Sequence, residues 1–436
     1  MDGSPTDLGS ISAPGRLAGP AEGITPQELA LAARNHGLPL EALRYDVTPP
    51  GLHYVLVHYD IPATDPDGWR LTVGGRVLRP LALDLDGLRA RPAVTRRVTL
   101  ECAGNGRARL TPRPVSQPWL VEAVGTADWT GVPLAALLAE AGTAEDAAEA
   151  VFTGADHGVE RGVEQDYRRG LPLSVAADPA RDVLVAYAMN GAPLPPQHGS
   201  PLRLVVPGWY GMAHVKWLHD ITVTATPYTG FQQSVAYRIR GTTDGDEPGE
   251  PVTLIAPRAL MIPPGFPDFM SRTRVVRPGP VRLAGRAWSG HGPVTRVEVG
   301  ESSGSSGRSE AFEAGETGET GETGAYGEYG EYGRTGEYGR TGEYGWIGEY
   351  GEYGSAVWTD AVVDHDPAHP WAWSSWHATW TATPGPHRLT VRATDAEGHV
   401  QPLAAPWNRG GFANNLVQRV DVLCAPDPSV TRSGGG

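Results

Sequence analysis

Residues 99–107 read Thr-Leu-Glu-Cys-Ala-Gly-Asn-Gly-Arg, the most informative stretch of the chain. A β-like run over residues 94–100 leads into a turn of small residues that presents one cysteine, Cys102. Small residues allow a bulky ligand to approach the backbone closely. Arg107, five positions after the cysteine, can lower the pKa of the thiol and hold an anion. The residues alone leave three roles open for Cys102: a nucleophile, a single thiolate ligand of a metal, or a buried structural thiol.

Further motifs lie downstream of the cysteine segment. They are 182–191 (DVLVAYAMNG) with Pro195 and 198–199 (HG), 203–208 (RLVVPG), 211–218 (GMAHVKWL), and 407–411 (WNRGG) with 414–415 (NN). Together with the cysteine segment, and in this order, they resemble the sulfite oxidase family of molybdenum enzymes. The resemblance extends along most of the chain, and several ordered motifs are far more specific than the cysteine motif alone.

The resemblance implies a molybdenum centre that carries a single molybdopterin. Cys102 would supply the only protein thiolate to the metal, and the dithiolene of the molybdopterin would supply two more sulfurs. The residues that fall where the family contacts the pterin and its phosphate are His58, Asp156, His198, Arg203, His214 and Lys216. An arginine fork and a lysine suit a buried phosphate, and Lys216 is the single lysine of the chain.

The resemblance also implies a pocket for a small oxyanion. Arg107 matches the arginine that follows the family cysteine, and Tyr237 lies 21 residues after Lys216, which is the family's spacing. Trp119 and Arg419 are the candidates for a pocket tryptophan and a distal arginine. These four residues are therefore the predicted catalytic residues.

The chain departs from the family at one position of this pocket. Sulfite oxidases place an arginine two residues before the histidine that corresponds to His58, and here that position is Leu56. The loss of a guanidinium from an anion pocket removes a charge-assisted hydrogen bond worth roughly 1.5 to 3 kcal/mol. We therefore expect either that sulfite binds about one to two decades more weakly, or that the substrate is another small molecule.

The order of β-like and helical runs predicts an α+β fold with two domains. Residues 25–248 mix short β-like runs with helices, and the resemblance implies that they form the molybdopterin-binding catalytic domain. Residues 249–425 are almost entirely β-like, with turn residues at the spacing of an immunoglobulin-like sandwich, and the resemblance implies that they form a dimerisation domain. Residues 1–24 and 426–436 are expected to be flexible.

Two local patterns make specific structural predictions. Thr25, Pro26 and Glu28 carry the signature of a capped helix start. The run over residues 55–58 predicts a strand.

A low-complexity tract interrupts the predicted sandwich at residues 301–354. Glycine falls at every third position from Gly315 to Gly354, with Glu, Thr and Tyr between. Collagen has the same glycine period, but this tract has no proline to stiffen a triple helix. We interpret it as a disordered loop between two strands.

Charge and cysteine content exclude several classes of protein. The net charge of -14 over 436 residues argues against nucleic acids and anionic membranes as partners. The two cysteines exclude a disulfide scaffold, a four-cysteine zinc site and a cysteine-ligated iron–sulfur cluster. The sequence has no apolar stretch of about 18 residues and no leader pattern at its start, so we expect a cytoplasmic location.

Two weaker features lie in the second predicted domain. His365 and His369 have a spacing compatible with metal binding, but the residues between them indicate a turn. The tryptophans of residues 371–380 are predicted to pack the sandwich or a dimer contact.

The sequence supports hypotheses from different functional classes. The first is a molybdenum-cofactor oxidoreductase that transfers an oxygen atom to a small anionic substrate, sulfite to sulfate, with electrons passed to an external acceptor such as a cytochrome. By resemblance it would be a homodimer. The alternatives are a family member that reduces another substrate such as a sulfoxide, and a non-catalytic scaffold. A cysteine hydrolase would need a histidine as general base to Cys102, and no local motif supplies one.

Overall fold

The computed structural model describes residues 16–243, 247–303, 357–404 and 406–425. These residues form a strand-rich first domain with short helices and a second domain of two sheets. The predicted fold class, an α+β domain followed by an all-β sandwich, is confirmed. None of the helices in the described ranges combines the length and the apolar character that crossing a bilayer requires.

The first domain is built from short elements. Its α-helices are α1 (Pro26–Arg34), α2 (Leu85–Arg89), α3 (Leu134–Ala141) and α4 (Leu173–Ala176). Its strands are β1 (Leu71–Gly75), β2 (Leu81–Leu83), β3 (Val94–Glu101), β4 (Val124–Pro133), β5 (Glu149–Glu160), β6 (Val163–Pro172), β7 (Leu184–Met189), β8 (Ala192–Pro193), β9 (Arg203–Val205), β10 (Leu218–Thr224), β11 (Arg238–Ile239) and β12 (Glu250–Pro251). Single 3-10 turns occur at Leu40–Arg44, Pro50–Leu52, Arg107–Arg109, Pro179–Arg181, Pro196–His198 and Gly211–Ala213, and a π-helical turn at Gln232–Ala236.

The predicted start of α1 is confirmed. The Thr25 hydroxyl accepts a hydrogen bond from the backbone N–H of Glu28 at 3.1 Å, and the Glu28 carboxylate accepts one from the backbone N–H of Thr25 at 2.9 Å. Pro26 occupies the first turn, where its missing N–H costs nothing.

Two sheets form the frame of the first domain. The first has the order β2-β1-β10-β5-β6, with β1 parallel to β10 and the other neighbours antiparallel. The second has the order β3-β4-β7-β8, with β9 paired to β7. Residues such as Val73, Phe152 and Leu137 form the main core, and Trp129 and its neighbours form a smaller one. The chain leaves β3 at the border of the two cores.

The second domain is a sandwich. Its strands are β13 (Arg258–Met261), β14 (Phe266–Pro267), β15 (Arg274–Val276), β16 (Gly279–Trp288), β17 (Val294–Ser303), β18 (Val357–Asp360), β19 (Val362–Asp364), β20 (Ser374–Ala382), β21 (Gly385–Asp395) and β22 (Gln418–Cys424). One sheet has the order β13-β16-β20-β19 and the other β14-β15-β22-β21-β17-β18. The apolar core includes Met261, Leu283, Trp376, Leu389 and Val422.

Only the start of the glycine-rich tract falls within the described residues. Strand β17 continues to Ser303, inside the predicted insert at 301–354. The rest of the predicted disordered loop, residues 304–354, lies outside the described residues, as do 1–15 and 426–436.

Two predictions near the start of the chain need correction. Residues 55–58 form no strand beyond a single β-bridge between Val55 and His36, because the N–H of Val57 donates to the Asn35 side chain at 2.8 Å. Residues 16–24 were expected to be flexible, but Ala18 donates to the carbonyl of Arg113 at 2.8 Å.

The junction of the two domains is buried and polar. Glu101, at the end of β3, forms an ion pair with Arg258 of β13 at 2.7 Å and accepts from the Trp288 indole at 2.7 Å. The short pair β11 and β12 spans the predicted domain boundary at residues 248–249. The exact domain limits stay a prediction.

Candidate active site

A cavity in the first domain is lined by residues of both of its sheets. Asp156 of β5 and Tyr167 of β6 line it from one sheet, and Arg203 of β9 lines it from the other. All seven residues predicted to bind the cofactor line this cavity: His58, Cys102, Asp156, His198, Arg203, His214 and Lys216. Tyr237 lines it as well. The motifs therefore converge on one place, while the role of each residue stays a prediction.

The turn that presents Cys102 is fixed by its neighbours. The backbone N–H of Cys102 donates to the carbonyl of Ala123 at 2.9 Å. The Asn105 amide donates to the buried carboxylate of Glu101 at 3.0 Å. Gly106 has a φ of 94°, a conformation that favours glycine. The small residues of the motif therefore hold a specific backbone shape.

The Cys102 thiol is buried and keeps its proton. Burial raises its pKa, and Arg107, the Gly104 backbone and Trp119 oppose that rise. The sequence-based expectation that Arg107 lowers the thiol pKa is right in direction, but desolvation outweighs it. A coordinating metal would displace the proton and bind the thiolate.

Several buried polar atoms around the cavity lack a hydrogen-bond partner among the described residues. They are His53 Nε2, Asp156 Oδ1, His198 Nε2 and Arg203 Nε. An unpaired buried polar atom costs about 1 to 3 kcal/mol, so native proteins keep few of them. Four such atoms on residues that line one cavity indicate that a polar ligand completes it.

The unpaired atoms fit the chemistry of molybdopterin. The ring nitrogens of His53 and His198 and the carboxylate of Asp156 can accept hydrogen bonds from N–H groups of a pterin. The guanidinium of Arg203 can pair with a phosphate, and the Cys102 sulfur is a soft ligand suited to molybdenum.

The cavity histidines are neutral at physiological pH. Burial lowers the pKa of His58 to about 3, that of His198 to about 2 and that of His214 to about 3. Burial also lowers the pKa of His53 to about 4. A neutral imidazole can accept a hydrogen bond, which a charged one cannot.

His214 differs from the other histidines because the protein itself uses both of its ring nitrogens. Nδ1 accepts from the backbone N–H of Val206 at 3.1 Å, and Nε2 lies 3.0 Å from the carbonyl of Trp209. No ring atom is left to bind a cofactor. The structure therefore places His214 at the cavity as a residue that shapes the wall rather than one that donates to the pterin.

Lys216 is held against the cavity by backbone carbonyls. Its ammonium donates to Leu56 at 2.7 Å and to Gln197 at 3.2 Å. Burial lowers the pKa of Lys216, and Asp156 opposes this. Burial raises the pKa of Asp156, and Lys216 opposes that. The two groups thus stabilise each other's charge at the same wall.

Tyr237 and His58 form the polar end of the cavity. The Tyr237 hydroxyl oxygen lies 2.5 Å from His58 Nε2, within hydrogen-bond distance. The Tyr167 ring stacks on His58 with 4.9 Å between centroids, and the Arg169 guanidinium lies 5.5 Å from the centre of the Tyr237 ring. Burial raises the pKa of Tyr237 well above its ordinary value, so the hydroxyl stays a donor.

Arg107 lies behind this end and does not itself line the cavity. Its guanidinium donates to the carbonyl of Gly410 at 2.9 Å and to the Ser116 hydroxyl at 3.1 Å, and lies 5.2 Å from the centre of the Phe412 ring. Burial lowers its pKa, and the nearby Cys102 opposes this. The second domain therefore positions an arginine of the first.

The other two predicted catalytic residues differ in position. Trp119 is buried next to Cys102, and its indole N–H faces the thiol and opposes the rise in the pKa of Cys102. Arg419 lies in β22 of the second domain, donates to the carbonyl of Leu403 at 2.8 Å and does not line the cavity. The structure does not bring Arg419 to this site, because its strand is paired inside the six-stranded sheet.

Three residues at the site escaped the sequence analysis. His53 has an unpaired nitrogen at the cavity, and Tyr167 and Arg169 lie two residues apart on one face of β6. His53 belongs to none of the resembling motifs. For Tyr167 and Arg169, the available signal was a buried arginine two positions after a tyrosine in one strand.

The chain matches two family models. Residues 58–232 match the oxidoreductase molybdopterin binding domain, and residues 267–424 match the Mo-co oxidoreductase dimerisation domain.

Curated relatives agree with these domains. The chain is 31% identical over 398 residues to sulfite oxidase of Gallus gallus, covering 86% of this chain and 72% of that protein. It is 30% identical over 402 residues to mitochondrial sulfite oxidase of Homo sapiens, covering 87% of this chain and 62% of that protein. It is 28% identical over 406 residues to NADH nitrate reductase of Solanum lycopersicum, covering 87% of this chain and 39% of that protein. The chain thus spans less than two thirds of the mammalian relatives.

The fold has a counterpart among solved structures. The sulfane dehydrogenase SoxCD from Paracoccus pantotrophus superposes with a TM-score of 0.66 at 22% identity, over 96% of this chain and 92% of that chain.

Proposed function

The chain belongs to the sulfite oxidase family of molybdopterin-dependent oxidoreductases, and from this we propose that it oxidises sulfite to sulfate. The observation that carries the proposal is the cavity itself. A buried thiol, unpaired hydrogen-bond acceptors and buried cationic side chains all line this cavity.

Different residues of the chain would hold the metal, the pterin and the phosphate of the cofactor. Cys102 would bind the metal, His53, His198 and Asp156 would accept from the pterin, and Arg203 and Lys216 would hold the phosphate. When bound, the molybdenum centre supplies the oxygen atom and takes up the electron pair.

The polar end of the cavity would receive the substrate. Tyr237 keeps its proton, and with His58 donating from Nε2 to the hydroxyl oxygen its O–H would be free to orient a substrate oxygen. Arg107 and Arg169 are buried close to Tyr237 and contribute positive charge that attracts an anion. Their burial also keeps water from screening that charge.

The overall reaction requires an external acceptor. Sulfite and water give sulfate, two protons and two electrons, and the electrons would leave one at a time to a cytochrome-like protein. A homodimer formed through the second domain and a cytoplasmic location are parts of the same proposal.

Reduction of a neutral sulfur oxide is the second candidate, and Leu56 favours it. This side chain lines the cavity where sulfite oxidases place an arginine. An apolar wall at this position suits a substrate with an alkyl group better than an anion.

Steady-state kinetics of the holoenzyme separate the two candidates. One assay supplies sulfite with cytochrome c, and the other supplies dimethyl sulfoxide with a reduced viologen dye. The proposal predicts sulfite turnover and no sulfoxide turnover. It also predicts that Arg107→Gln raises the KM for sulfite by about tenfold, since losing a buried positive charge near the anion weakens binding by about 1.4 kcal/mol. Arg76→Gln, at an exposed ion pair, is the control. Turnover of sulfoxide alone would replace the proposal by the second candidate.

A further inference from the structure

A group of metal-ligating side chains lies on the second domain, outside the cavity. His291 lies in the loop between β16 and β17, and Glu397 and His399 lie in the loop after β21. One nitrogen of each imidazole and a carboxylate oxygen of Glu397 all lie within 4.8 Å of one another. His291 Nδ1 is 3.8 Å from Glu397 Oε2, and the two imidazole centroids are 4.5 Å apart.

The backbone holds the two loops in place. Ala396 donates to the carbonyl of Pro293 at 2.9 Å, which ties one loop to the other. Gly290 donates to the carbonyl of Ile255 at 2.7 Å, which ties the first loop to the domain junction. The three side chains therefore project from a frame that does not depend on a bound ion.

A buried carboxylate orients one of the histidines. Asp395 is 2% exposed, and its Oδ2 lies 3.1 Å from His399 Nδ1 and accepts from the Ser289 hydroxyl at 2.9 Å. Its Oδ1 accepts from the backbone N–H of His399 at 2.9 Å. Metal-binding histidines commonly donate their second ring N–H to such a carboxylate, which leaves the other nitrogen free for the ion.

We propose that His291, Glu397 and His399 bind a divalent transition-metal cation of the zinc type, with water completing its coordination. Two imidazoles and one carboxylate are ligands that Zn²⁺ accepts, at bond lengths of about 2.0 to 2.2 Å. Tetrahedral bonds of this length place ligand atoms about 3.3 Å apart, so the 3.8 Å separation must close slightly. The Glu397 and His399 side chains are 59% and 48% exposed, so they can adjust and the ion can enter from solvent.

The site would act on the junction between the domains. Gly290, next to His291, packs so closely on the backbone of Gly208 that an added Cβ would lie 2.0 Å from the Gly208 carbonyl oxygen. An ion that joins the two loops would hold this contact. The expected consequence is a higher thermal midpoint with zinc, because a ligand that binds only the folded state stabilises it. This inference does not rest on the molybdenum chemistry.

The second domain also supplies a matched control. His365 and His369 have the spacing that the sequence suggested for a metal, but His365 Nδ1 lies 3.3 Å from the Ser374 hydroxyl and His369 Nε2 lies 3.9 Å from Asp366. The double variant His365→Gln with His369→Gln therefore removes two histidines without touching the proposed site.

Titration calorimetry with ZnCl₂ on the full, molybdenum-loaded chain after removal of adventitious metal tests the proposal. The wild type and the His365/His369 double variant should share one zinc site of equal affinity. His399→Gln and the surface variant Glu397→Gln should each lower that affinity at least about tenfold, and the zinc-dependent rise in thermal midpoint should vanish with it. Glu397→Gln keeps the test open if His399→Gln misfolds. No zinc binding by the wild type, or equal affinity in all variants, would overturn the proposal.

Discussion

The wall of the cavity and the core of the sandwich differ in how their buried polar groups are paired. The atoms left unpaired at the wall include His53 Nε2, Asp156 Oδ1, His198 Nε2 and Arg203 Nε. In the sandwich core the Trp380 indole nitrogen is also unpaired, but the Gln418 side chain accepts from the backbone of Met261 at 2.6 Å, and Glu298 is paired with Arg392 at 2.7 Å. The sandwich thus pairs these buried groups within the protein, whereas the cavity wall relies on a ligand to pair its own.

The largest effect is expected where a paired buried group is broken. Glu101→Gln should lower the free energy of unfolding by about 3 to 5 kcal/mol, because it leaves Arg258 buried without its counter-charge. Denaturant unfolding of the cofactor-free chain measures this. Arg76→Gln, which breaks an exposed ion pair, should cost about 0 to 1 kcal/mol. Equal losses of unfolding free energy in the two variants would show that the buried ion pair at the domain junction contributes no more than an exposed one.

A charge added to the wall gives the next effect. Leu56→Arg should tighten sulfite binding and lower its KM by about 10- to 100-fold, since it adds a charge-assisted hydrogen bond of about 1.5 to 3 kcal/mol. Steady-state kinetics provide the measurement, and Leu56→Met is the control of similar size. An unchanged KM would show that the anion does not contact this wall.

Two histidines of the same wall should separate stability from cofactor retention. His214→Leu removes partners of Val206 and Trp209 and should destabilise the cofactor-free chain by about 1 to 3 kcal/mol. His53→Leu removes an unpaired nitrogen and should mainly lower the amount of pterin retained. Pterin fluorescence per chain and unfolding midpoints are measured on both variants. Loss of pterin in His214→Leu together with loss of stability in His53→Leu would contradict the distinction between paired and unpaired wall residues.

The pH dependence of stability gives the smallest effect. Burial lowers the pKa of His53 from 6.5 to about 4. Between these values the unfolded chain binds a proton that the folded chain does not, so stability falls as the pH falls from 6.5 to 4. Each such histidine contributes up to about 1.4 kcal/mol per pH unit. Unfolding of the cofactor-free chain at pH 7, 6 and 5 should show a shallower slope for His53→Leu than for the wild type.

Local patterns predicted local structure well. The capping box at Thr25 and Glu28 depends on residues three apart, and it forms as expected. The run at residues 55–58 predicted a strand, but sequence could not show that a side chain, Asn35, would take the hydrogen bond of a neighbouring strand.

Features that join distant segments were harder to predict. His53 and Arg169 reach the site through contacts between separate elements, and no motif marked them. Resemblance suggested Arg419, but strand pairing in β22 keeps it away from the cavity. His291 and His399 lie over a hundred positions apart, so no spacing along the chain marked them as a pair.

The central claim is that Cys102 and the surrounding wall hold the molybdenum cofactor. Molybdenum content and the number of sulfur ligands from X-ray absorption test it, on the wild type, Cys102→Ser and Cys424→Ser, the last changing the buried cysteine of the sandwich core. We predict about one molybdenum per chain with three sulfur ligands in the wild type and in Cys424→Ser, in line with one thiolate and one dithiolene. Cys102→Ser should show one sulfur fewer and lose sulfite turnover. A wild type without molybdenum, or a sulfur count unchanged in Cys102→Ser, would contradict the account.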